Sequence, residues 1–272
     1  MKQTLLYILL LTTQCCFCQK KRDTTAMIAE FNKVMEFAVQ PNLYYTGNTS
    51  LHTTPAIRTT NGDLMLHNTF YKVKEDLFYG NEQEDVYLQD SFLITVNRLR
   101  KTIQVNKVDV ASKTNMNLLP LKKMNFQKIL REHFTISKEK RQGDTLELSI
   151  SSLEKNLAQG MGQTEMKVLF SAHSFLPYAI EMSIEVWQPA SEQFLAILNN
   201  QAGLSENLVM VKDGIKYIKM TQTVALNFTQ MDLSGEKALQ MPSWKSCLGF
   251  NQAEQSFRGK DKYENYEVIQ TF

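Results

Sequence analysis

Glu181 and Glu185 stand four residues apart in "AIEMSIEVW" (179–187). Two carboxylates on one side of a strand can flank a substrate as general acid and general base. The same stretch alternates without a fault, however. Ile180, Met182, Ile184 and Val186 point one way and Glu181, Ser183 and Glu185 the other, the signature of a half-buried β-strand. That alternation equally explains the glutamates as the solvent face of a sheet. The acidic stretch "NEQED" (81–85), with Asp90 beyond it, offers hard oxygens to calcium. It lacks the alternating Asp/Asn positions and the turn glycine of a calcium loop and reads as a solvated hairpin tip. His52, His67, His133 and His173 are scattered singly, without the short-range ligand pairs of a metal site. "GMG" (160–162) has no Lys-Ser/Thr after it and reads as a turn rather than a phosphate cradle. No nucleophile elbow, HExxH or paired CxxC is present. The expectation is a protein that is not an enzyme, with no cofactor and no metal.

The N-terminus predicts export. Lys2, the apolar run "LLYILLL" (5–11) and "TTQCCFC" (12–18) form the three zones of a signal peptide, 1–18, cleaved near Cys18. The apolar run falls well short of the roughly 20 residues that span a bilayer. A lipoprotein anchor fits less well, because no small residue precedes Cys15 or Cys18. The mature chain would hold 29 basic against 28 acidic side chains, a balance that argues against nucleic-acid binding. No later segment is apolar enough to cross a membrane, so the expected location is the periplasm or the exterior. Cys15, Cys16 and Cys18 leave with the signal, and Cys247 remains alone as a buried small hydrophobe.

The elements follow from periodicity. Met27, Phe31, Val34 and Ala38 predict a helix over 24–40 with Pro41 just past its end. Strands are predicted at 42–52, in two pieces within 63–81, and as hairpins across 84–108. A second amphipathic helix is predicted over 120–134, its wet side basic through Lys122, Lys123, Lys128 and Arg131. That basic side suits either plain solvation or contact with an anionic surface. A meander over 133–187 follows, then a helix at 192–201 capped by Ser191, and a hairpin around Asp213-Gly214. From 229 the pattern weakens. One domain is expected: 19–190 as an antiparallel sheet domain, with 191–272 as its C-terminal extension. The class is α+β, because runs of short strands at regular spacing favour antiparallel pairing.

Two amphipathic helices are few for so much apolar strand surface, and the mature chain carries twelve Met, a residue suited to variable apolar partners. In its order of elements the chain resembles the lipoprotein carriers of Gram-negative envelopes, the LolA-like fold. The matching stretches are the helix at 24–40, the hairpins at 84–108, the helix at 120–134, and "FTISKEKRQGDTLELSIS" with "MKVLFSAHSFLPYAIEMSIEVW". The resemblance implies a strongly curved antiparallel sheet, a half-barrel, with helices on its concave side. It implies binding of an apolar ligand, an acyl chain or a lipoprotein, beneath a movable helical lid. The residues expected on that face are Phe92, Ile94, Val96, Leu146, Leu148, Val168, Phe170, Ile180, Met182 and Ile184. The alternative is an envelope-associated interaction or scaffold protein whose sheet is fully plugged, binding a protein partner and no small ligand.

Overall fold

The computed structural model describes residues 24–55, 64–109, 130, 132–153, 161–202 and 208–271. The expected signal peptide and nearly all of the helix expected at 120–134, including its four basic residues, lie outside the described residues. Leu130 is within them and is buried in the core.

The first helix, α1 (Thr24–Met35), buries Met27, Ile28, Phe31, Val34 and Met35, the single stripe that three- and four-residue spacing produces. It is shorter than the periodicity suggests. A 3₁₀ turn, Glu36–Val39, replaces its last turn, and Gln40 leaves helical geometry with ψ 142° because a following proline disfavours the α region.

Six strands then form an antiparallel meander: β1 (Asn42–Thr54), β2 (Leu64–Val73), β3 (Asp76–Gly80), β4 (Glu84–Gln89), β5 (Phe92–Asn97) and β6 (Thr102–Lys107). Four more make a second meander: β7 (Phe134–Lys140), β8 (Thr145–Ser152), β9 (Met161–Ser171) and β10 (Pro177–Pro189). Met161 and Gly162 therefore open a strand rather than form the turn expected of them, since Gly162 sits against Glu185 of the neighbouring β10. After α2 (Glu192–Ala202) come β11 (Val209–Lys212) and the long β12 (Ile215–Asp232). Asp213 and Gly214 join these two with φ of 52° and 76°, the paired positive values of a type I′ turn. Three short strands follow: β13 (Leu248–Asn251), β14 (Ser256–Gly259) and β15 (Glu267–Thr271).

Most of the described strands make one 13-stranded sheet in the order β15-β6-β5-β4-β3-β2-β1-β12-β10-β9-β8-β7, with β11 beside β12. β15 runs parallel to β6, and the other pairings are antiparallel. The end strands β7 and β15 are not paired with each other, so the sheet is open and not a closed barrel. Residues 191–272 are more than an appendage to it. β12 pairs with β1 on one side and β10 on the other and so joins the two meanders. β15 forms one edge. The separate hairpin of β13 and β14 is part of a layer over β3–β6.

Candidate functional site

Register and packing together define the two faces of the sheet. On one face α1 buries Phe70, Leu148, Ile150, Val168 and Phe170, with Ile180, Leu226 and Phe228 at the margin of this core. The same face continues along β12 to Ile218 and Met220, which α2 covers with Leu195 and Leu198. The opposite face of β3–β6 is closed by the C-terminal layer. There Phe78, Tyr87, Ile94, Val96, Ile103 and Val105 pack on Trp244, Cys247, Leu248, Phe257 and Tyr263.

The ten residues expected to line one apolar face are therefore divided. Phe92, Ile94 and Val96 belong to the face sealed by the C-terminal layer, where Phe92 meets the edges of Trp244 and Phe257. They sit on the far side of the sheet from the rest. Leu148, Val168 and Phe170 are on the α1 side and wholly buried; Leu146 and Ile180 pack at the border of the same core. Met182 and Ile184 lie farther along β10, between the territory of α1 and that of α2. Periodicity places residues on a face of their own strand, but it does not say which faces of distant strands coincide.

Residues outside the expected set complete the neighbourhood of Met182. Leu64, Leu51, Val224, Met182, Met166, Ile150 and Ile136 oppose one another in turn across β2, β1, β12, β10, β9, β8 and β7. With strands about 4.8 Å apart, this apolar row is about 29 Å long. Its inner end, Ile150 and Ile136, is under α1. Its middle is open: Leu51 is 42% exposed, Val224 38% and Met182 39%. Leu51 was legible only as one strand residue among many, and Val224 only as alternating with polar neighbours; the signal that unites them is cross-strand register.

The polar candidates resolve differently. Glu181 and Glu185 stand on the other face, each with its own lysine: Glu181 lies 3.6 Å from Lys167 and Glu185 2.9 Å from Lys219. Glu185 also accepts from the Gln163 amide at 3.2 Å. Each carboxylate is engaged separately. The acidic stretch 81–85 is spread over a turn. Asn81 Oδ1 accepts from the amides of Gln83 and Glu84, Asp85 pairs with Arg98, and Asp90 accepts from the Trp244 indole at 3.1 Å. Among the described residues no group of three His, Cys, Asp or Glu side chains could hold a metal ion. His67 bonds Asn48 and His52 bonds Thr54, while His173 lies 3.3 Å from Asp144. Cys247 is free and buried, its Sγ donating to the Trp244 carbonyl at 3.0 Å. Burial pushes its thiol up to about 11. No described helix is long and apolar enough to cross a membrane.

No protein-family model and no curated protein matches the chain. Solved structures do match it. An uncharacterized conserved protein from Thermus thermophilus is 7% identical, with 90% of this chain and 99% of that one covered at a TM-score of 0.39. The Mycobacterium tuberculosis lipoprotein LppX is 8% identical, covering 76% and 95%, with a TM-score of 0.33. A DUF1329 family protein from Desulfovibrio piger is 9% identical, covering 85% and 99%, with a TM-score of 0.29.

Proposed function

We propose that this is an exported, non-enzymatic binding protein that holds the acyl chain of a lipid or lipoprotein along the apolar row between α1 and α2. The sheet in this reading curls toward the helices as a half-barrel, and the row lies on its concave side. The open middle of the row carries the reading. Leu51, Val224 and Met182 adjoin one another on three neighbouring strands, and no apolar core among the described residues includes them. Contiguous exposed apolar side chains mark binding surfaces more often than scattered single ones do. Ten methylenes buried at about 0.8 kcal/mol each give about 8 kcal/mol, micromolar affinity before the cost of immobilisation.

Titration of the purified protein with a fluorescent fatty acid tests this. Saturable, near-stoichiometric binding is expected, weakened at least about tenfold by Met182→Asp, since an uncompensated carboxylate opposes an apolar ligand. Absence of saturation, or unchanged affinity in a folded Met182→Asp variant, overturns the site and leaves the plugged interaction protein as the better reading.

A further inference from the structure

Where β11 and β12 meet, the face of the sheet opposite α1 and α2 changes character. Over β1, β12 and β10 that face is mostly Ser, Thr, Asn and charged side chains, but at this end Met210, Tyr217 and Pro189 oppose one another across β11, β12 and β10. Ile215 follows outward on the same side of β12, and Trp187 inward on the same side of β10. None of these five side chains belongs to an apolar core among the described residues. Neither the Trp187 indole N–H nor the Tyr217 hydroxyl has a hydrogen-bond partner in the protein among the described residues, and neither ring stacks on another.

The hairpin also projects past its neighbours. Pairing of β10 with β12 ends at Pro189 and Tyr217, followed by one bond from the Ala190 amide to the Lys216 carbonyl at 2.9 Å. Among the described strands β11 pairs with β12 alone. Ile215 is 48% exposed, and Val211, on the other side of the hairpin, is 64% exposed. One protruding hairpin thus carries uncovered β-branched side chains on both of its sides.

We propose that this hairpin end docks the protein on an anionic lipid surface. Trp and Tyr suit the boundary of a bilayer, where the ring enters the apolar zone and its N–H or O–H meets water and headgroups. A protein partner seated on one face would leave Val211 in water, whereas a lipid surface receives both sides of a protruding edge. The lysines supply the complementary charge. Lys219 and Lys216 are held by Glu185 and Glu192 at 2.9 and 2.7 Å, but Lys212 has no ion pair among the described residues and is free to meet lipid phosphates. Asp213, at the turn, keeps the contact at headgroup depth, because a carboxylate resists entry into hydrocarbon. This contact lies outside the apolar row and does not need that row to hold an acyl chain.

Co-sedimentation of the mature protein, freed of the expected signal peptide, with phosphatidylglycerol vesicles tests the contact. The protein is expected to pellet with them and its tryptophan emission to shift to the blue. Trp187→Phe should abolish that shift, since the other tryptophan, Trp244, is already buried. Ile215→Asp and Val211→Asp, both at exposed positions, should each weaken vesicle binding at least about tenfold, and Lys212→Gln about fivefold. Met65→Asp, exposed on the same face of the sheet but on β2, should leave vesicle binding unchanged, as should Met182→Asp whatever it does to acyl binding. No pelleting with the anionic vesicles, an unshifted emission, or undiminished binding by the folded Ile215→Asp and Val211→Asp variants overturns the proposal. An equal loss in Met65→Asp also overturns it. So does a dimer, seen by sedimentation equilibrium, that Ile215→Asp dissociates while vesicles bind neither form; that outcome assigns the patch to a second copy of the chain.

Discussion

Where residues 238–266 fold back over β3–β6, Trp244, Phe257, Tyr263 and Cys247 close one face of the sheet. Polar clamps fix that closure: Gln89 donates to the Pro242 carbonyl at 2.6 Å and accepts from the Trp244 amide at 3.1 Å. On the other face α1 and α2 cover the two ends and leave Leu51, Val224 and Met182 between them. The sealed side is built of rings in edge-on contact, among them Phe92–Phe257 at 5.2 Å and Trp244–Phe257 at 5.6 Å. The open middle of the row is aliphatic and thioether, surface that re-packs at low cost. The same strands thus serve two ends. Close packing of rings fixes the fold, and the middle of the aliphatic row is left exposed.

The largest effect is expected at Phe257, in the middle of the sealed side. Phe257→Ala should cost about 3–5 kcal/mol in urea denaturation, as loss of a buried ring does. A change under about 1 kcal/mol would mean the C-terminal layer is not part of the fold's core. Alkaline pH tests the same side. The Cys247 thiol is raised from 9.0 to about 11, so between these values the folded state holds a proton that the unfolded state has released. Stability should therefore fall as pH rises through that window. Cys247→Ala should reduce the fall without abolishing it, because burial also raises the pKa of Tyr87 and Tyr45. An identical pH profile in the variant would contradict the burial of this thiol.

On the open face the effects are on binding. Val224→Asp should weaken the fatty-acid probe at least about tenfold, or 1.4 kcal/mol, and move the unfolding midpoint little. Met65 is the control. It is more exposed than Met182 but points to the other face, so Met65→Asp should leave the probe's affinity unchanged. Equal losses in both variants would indicate general disruption rather than a sided site. The smallest effect expected is at α2. The Ser191 hydroxyl accepts from the Phe194 amide at 3.2 Å, and Ser191→Ala should cost about 1 kcal/mol, measured by thermal unfolding.

Much of the local structure was legible in the sequence. The hairpin at Asp213-Gly214, the cap at Ser191, the strand expected at 179–187 and the burial of Cys247 follow from short-range rules and residue type, and each holds. The candidate site was legible only in part. Met182 falls in the open row and Ile184 beside it, whereas Phe92, Ile94 and Val96 lie across the sheet. The weak pattern from 229 onward concealed the C-terminal layer. Its anchors, Trp244, Phe257 and Tyr263, sit in short turns and strands that carry no period to detect.

Up to about residue 228, local patterning accounts for most of where the described chain is extended and for which side of each strand is apolar, because these depend on neighbours within a few residues. Tertiary structure alone decided that β12, late in the chain, lies between β1 and β10, and with it which apolar sides merge. Strand pairing joins residues such as Leu51 and Val224, 173 positions apart, through backbone hydrogen bonds that any sequence can make. Only the assembled sheet shows which of its apolar surface is covered and which is left exposed.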